Sequence, residues 1–175
     1  MQQRLQQLSR GLERLCRLVA GIFLVLPLLV TIVDVATRYL YRLTEGAFSF
    51  TILGSVELVS YSMLFALLAA MAANVEKSQV VVEAFSHNLS DALKTRLHGI
   101  YLLGFTVLGG VLCIGLWDAA YSAAGYGEVT QDLRLPMSPI YYVAAALSLL
   151  LALRSLIHAW LSAVHGVPGE FSHGD

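Results

Sequence analysis

Four apolar runs, each long enough to cross a lipid bilayer as a helix, constrain this chain more than anything else in its sequence. A hydrocarbon core roughly 30 Å thick takes about 20 helical residues at about 1.5 Å each. Runs of that length lie at about residues 15–37, 56–75, 97–120 and 138–160. Apolar residues continue through each run without the alternation of a half-buried strand, so helix is the expected state. Composition agrees: of 175 residues 57% are hydrophobic and 13% charged, against soluble averages of roughly 45–50% and about 25%. The expected fold is an all-α membrane protein, one domain over residues 1–175, with four transmembrane helices in a bundle and short amphipathic helices at the membrane surface.

The connectors read as helix ends. Ser90 before Asp91 is an expected N-cap for the third helix, and Ser138 followed by Pro139 is a cap with proline in the first turn of the fourth. Pro136 stops any helix arriving from upstream, and Pro27 removes one backbone hydrogen bond inside the first span, where a bend is expected. Leu5, Leu8, Leu12 and Leu15 recur at helical spacing with arginines on the other faces, which makes residues 1–14 an amphipathic lead-in to span one. Val82, Phe85 and Leu89 form a shorter stripe of the same kind, and the glycine-rich tail at 165–175 is expected to be disordered. The basic start and apolar run resemble a secretory signal, but Val33-Asp34-Val35-Ala36 lacks a small-x-small cleavage pattern and the run is long, so it is read as an uncleaved span.

Basic residues set the orientation. Arg4, Arg10, Arg14 and Arg17 precede span one, Lys77, Lys94 and Arg96 lie between spans two and three, and Arg154 comes late in span four. Those share one side, leaving Arg38, Arg42 and Arg134 of the 11 lysines and arginines on the other. Because positive loops stay inside, both ends of the chain are expected in the cytoplasm. Tyr39, Tyr41, Trp117, Tyr121, Tyr141 and Tyr142 then fall near the outer interface as an aromatic belt.

Several function classes lose their footing at this point. A net charge of −1 offers no basic surface for nucleic acid. Cys16 and Cys113 stand apart with no companion ligands, so neither a zinc site nor a dithiol redox centre is built, and no cofactor is expected. The chain is not read as an enzyme. The alternative from a different class is a b-type cytochrome subunit in which His98, opening span three, and His158, closing span four, hold a haem.

The charged residues near the membrane cluster at one rim. Asp34 and Arg38 are four apart on one helical face and are expected to pair, while Glu57 opens span two at the same depth, within reach of Arg38 or Arg42. Three charges of near-balanced sign make a structural cluster between spans one and two rather than an ion path. Asp118, beside Trp117 at the outer end of span three, has Arg134 as its candidate partner. The apolar "MLFALLAAMAA" of span two and Gly104, Gly109, Gly110 and Gly115 of span three suit close helix packing.

Taken in order, "RYLY" closing span one, "VELVSY" opening span two, "QVVVEAF" after it and "TQDLRLPMSPIYY" leading into span four resemble the small membrane subunit of tripartite ATP-independent periplasmic (TRAP) transporters. The resemblance covers roughly residues 30–153. This chain carries Gln79, three valines and Glu83 where that family usually has a histidine, an aliphatic pair and an aspartate, and Phe48 and Phe50 in a longer connector where a tryptophan is usual. The resemblance implies a subunit of the bacterial inner membrane that binds no substrate itself. A soluble periplasmic binding protein delivers an organic acid to a large membrane subunit, which moves it with sodium in an elevator-like way; the small subunit enlarges the fixed scaffold. It further implies that Arg38 and Glu57 pair near the periplasmic face, and that Asp132, Leu133, Leu135 and Pro136 belong to a loop that meets the binding protein.

Overall fold

In a computed structural model that describes residues 2–45, 54–75 and 91–165, the chain is four helices: α1 (Gln2–Leu43), α2 (Ser55–Ala73), α3 (Asp91–Tyr126) and α4 (Met137–His165). Each contains a stretch long and apolar enough to cross a membrane. The fold is the all-α, four-span architecture expected. The stripe at Val82, Phe85 and Leu89, the Ser90 cap and the tail at 166–175 lie outside the described residues.

The helix lengths differ for a physical reason. The 19 residues of α2 reach about 28 Å at 1.5 Å per residue, one hydrocarbon thickness. The 42 residues of α1 and 36 of α3 reach about 63 and 54 Å, well beyond it. The expected lead-in is helical over residues 2–14 but is no separate element: it runs without a break into the span as α1. Helix α1 also continues through Pro27, where Thr31 Oγ1 donates to the Pro27 carbonyl at 2.7 Å. Helix α4 starts at Met137, so Ser138 lies inside its first turn rather than serving as the cap. The third helix runs on to Tyr126, past the boundary at 120 set by hydropathy alone, because the apolar run ends before the helix meets a stop signal.

That stop signal is Gly127. Its left-handed backbone (φ 65) turns the chain, and the Glu128 N–H donates to the Ala123 carbonyl at 3.0 Å, the six-to-one bond of a Schellman motif.

Packing follows side-chain size. Helix α2 sits between α1 and α4, and α3 packs along α4 with no close backbone approach to α1 or α2 among the described residues. Alanine makes the central contacts tight: Ala66, Ala69, Ala72 and Ala73 of α2 are buried, as are Ala144 and Ala145 of α4. One core cluster joins Ala20, Phe65, Leu68, Ala69, Ala144 and Leu147, with Phe23 edge-on to Phe65 at 5.2 Å. A second, near the C-terminal end of α2, joins Cys16, Ala72, Ala73, Val75, Leu102, Leu151 and Ala159. Gly109 brings α3 onto α4 so closely that a Cβ there would lie 2.9 Å from the Ser148 carbonyl oxygen and the Ala152 nitrogen. In lipid such contact, rather than exclusion of water, holds helices together.

Candidate functional site

The polar side chains that do structural work gather at the two ends of α2. At its start, Gly54 adopts a left-handed backbone (φ 75) just before Ser55. A side chain at Gly54 would collide with Leu133, whose Cγ lies 2.4 Å from the place a Cβ would take. The notch therefore receives the loop between α3 and α4.

Glu57, in the first turn of α2, locks that loop. Its Oε1 accepts the Asp132 N–H at 2.7 Å and its Oε2 accepts the Leu133 N–H at 3.1 Å. The loop is ordered from within as well. Thr130 N–H donates to the Leu135 carbonyl at 2.8 Å, Leu135 N–H to Thr130 Oγ1 at 3.1 Å, and Met137 N–H to the Glu128 carbonyl at 2.9 Å. Val129 and Pro136 form an antiparallel bridge, and Arg134 takes a positive φ of 52 at the tip. The chain turns back on itself and feeds straight into α4.

These contacts correct one expectation. Asp34 and Arg38 do pair, Oδ2 to Nη2 at 2.9 Å, within α1. Glu57 does not join them, because its carboxylate is occupied by the amides of residues 132 and 133. Two backbone N–H donors held in a turn match both carboxylate oxygens, whereas Arg38 is 62% exposed and already has Asp34 one turn away. The three charges are thus two separate devices, one inside a helix and one between a helix and a loop. The Asp34 Oδ1 is buried and has no hydrogen-bond partner among the described residues. Asp118 lies exposed on α3 and pairs with neither Arg134 nor any other described residue.

The other end of α2 holds a residue whose burial the sequence did not signal. Arg154, counted among the basic residues of one side from its place late in span four, is fully buried. Its Nη1 donates to the Ala72 carbonyl at 2.5 Å and the Ala73 carbonyl at 2.8 Å. The last carbonyls of a helix lack intrahelical donors and carry the negative end of its dipole, so a guanidinium there is matched in both hydrogen bonding and charge. Asn74 Nδ2 donates to the Ala70 carbonyl at 3.0 Å and helps close the same end. Beyond it, Ser9 Oγ and His158 Nε2 lie 2.9 Å apart and tie the start of α1 to the end of α4.

A family model for tripartite ATP-independent periplasmic transporters, DctQ component, matches residues 27–165, well over half of the 175 residues. The chain belongs to that family. Searches of curated proteins and of solved structures return no match. A DctQ component is part of a multi-pass transport assembly rather than an enzyme, and the cytochrome alternative finds no support in this membership. Of its two proposed ligands, His158 faces Ser9, and the His98 side chain lies outside the described residues. The matched region takes in the Glu57 clamp, the hairpin loop and Arg154, but not Ser9 or Cys16.

Proposed function

We propose that this DctQ component is the stationary scaffold of a sodium-coupled TRAP transporter in the bacterial inner membrane. It pairs with a large elevator-type subunit that imports an organic acid delivered by a periplasmic binding protein. The two ends of the chain lie in the cytoplasm, which sets the hairpin loop of residues 128–136 in the periplasm.

The observation that carries the scaffold role is the closed interior. Where α1, α2 and α4 meet, the space is filled by alanine, leucine and phenylalanine. The arginine buried there is held on backbone carbonyls at a helix end. A moving or conducting element needs helix breaks and polar groups near the midplane; these helices run whole through the span, and their contacts are of the kind that favours rigidity. The exposed loop residues Asp132, Leu135 and Pro136, with Leu133 anchored beneath them in the Gly54 notch, form the contact for the binding protein.

Reconstitution tests this reading. Liposomes containing the large subunit, this chain and the binding protein should take up the organic acid on a sodium gradient, and omission of this chain should abolish uptake. Solute-specific flux through this chain alone would overturn the scaffold role. Alanine at Asp132, Leu135 and Pro136 should raise the concentration of binding protein needed for half-maximal uptake; unchanged dependence would remove the loop from that contact.

A further inference from the structure

The outward faces of α1 and α3 are both uncovered, yet their chemistry differs. On α1 the exposed side is aliphatic: Leu18, Ile22, Val25, Leu29 and Ile32 are each more than half exposed. Such a face suits acyl chains. On α3 the side opposite α4 carries Val107, Val111, Gly115, Asp118, Ser122 and Gly125, all exposed and spaced three or four apart, hence in one row. The α3 contact with α4 is made from the other side, through Leu102, Gly109, Ala120 and Ala123.

Asp118 decides between lipid and protein for this row. It lies roughly two turns before the end of α3, next to Trp117, whose ring packs edge-on against Tyr142 of α4 at 5.0 Å. Its carboxylate meets no donor among the described residues. A carboxylate on an outward helix face near the outer end of a span is matched by a cation or hydrogen-bond donor from a neighbouring helix, and acyl chains supply neither. Gly115, one turn away, leaves open space where a Cβ would stand, so a neighbouring backbone can come close beside it.

We propose that the Asp118 row of α3, not the aliphatic face of α1, docks the large membrane subunit, through a transmembrane helix that brings a basic or hydrogen-bond-donating side chain to Asp118. The inference rests on the scaffold role proposed above and names the surface through which it acts.

The test compares two glycines. Gly115 on α3 and Gly21 on α1 both have open space at the Cβ position, so leucine fits at either in the chain by itself. Tagged variants are co-expressed with the large subunit and recovered in mild detergent. Gly115→Leu and Asp118→Leu should lower the recovered large subunit about tenfold, equivalent to about 1.4 kcal/mol, Asp118→Asn should lower it less, and Gly21→Leu should match the native chain. Native recovery from both α3 variants, or loss from Gly21→Leu, overturns the proposal and leaves the scaffold role standing. Failure of the native chain itself to recover the large subunit overturns the scaffold role and this proposal together. A second measurement stands apart from folding of the leucine variants: with Cys113→Ala, a cysteine introduced by Ser122→Cys should react with a membrane-soluble maleimide in the chain alone and become protected in the complex. Equal reaction in both states overturns the proposal.

Discussion

The two ends of α2 solve the same problem with opposite charges. At the start, the Glu57 carboxylate gathers backbone N–H groups of a loop; at the finish, the Arg154 guanidinium gathers the helix's own carbonyls. The first clamp is in contact with water-side residues such as the exposed Asp132, whereas Arg154 is sealed at 0% exposure. That difference predicts different consequences of removal. A charge in contact with water can be replaced by water, but the carbonyls left by a buried charge have no substitute donor.

The largest effect should therefore come from Arg154→Met, which removes the donor from Ala72 and Ala73 and should cost about 1–3 kcal/mol for each carbonyl left unsatisfied, read as a lower midpoint in an SDS unfolding titration. Arg154→Lys should recover part of the loss. A change below about 1 kcal/mol for Arg154→Met would place the two ends of α2 on an equal footing and break the comparison.

Next comes Gly109→Ala. The added methyl would press on α4 backbone that is 2.9 Å away, an overpacking cost of about 1–3 kcal/mol in the same titration. Gly54→Ala follows, at about 1–2 kcal/mol for a side chain on left-handed backbone, and it should also dislodge Leu133. Restoration by Leu133→Ala of only part of that loss would separate the backbone component from the collision.

Glu57→Gln should leave the unfolding midpoint nearly unchanged and speed hydrogen exchange at the Asp132 and Leu133 amides, because the weakened bonds belong to the loop. Exchange that stays as slow as in the native chain would mean that the loop's own hairpin bonds suffice. Arg38→Ala should also be small, about 0.5 kcal/mol, since a pair one turn apart on a helix gains little and Arg38, unlike its buried partner Asp34, is 62% exposed.

How much of this could be read from residues alone depended on distance along the chain. The Asp34–Arg38 pair was legible because four residues on a helix are neighbours whatever the tertiary structure. Helix α2 was legible to within two residues at each end, since a continuous apolar run of about one bilayer thickness leaves little choice. Glu57 was rightly singled out and wrongly partnered: Arg38 and the amides of residues 132 and 133 are all compatible with its place in the sequence, and only the fold brings the loop to Gly54. Arg154 was legible only as a basic residue late in span four, because nothing near it signals that α2, 82 residues away, ends beside it.

Length and apolarity by themselves determined that this chain is four membrane-crossing helices, because hydrocarbon demands that backbone hydrogen bonds close within each span. The small residues singled out with them divide: the alanines of α2 and Gly109 of α3 are packed closely, whereas Gly104, Gly110 and Gly115 have open space beside them within the chain. Only the tertiary structure decided which helices lie side by side, how fully each is covered and where the charges end up. Of the most apolar stretch of α1, 6% is buried inside the chain, against 44% for α4. Both runs are greasy enough to cross a membrane, and apolarity alone does not distinguish a surface that meets lipid from one that meets another helix. Contact between helices is set by steric fit and by the pairing of distant polar groups, and those depend on three-dimensional neighbours that no local window contains.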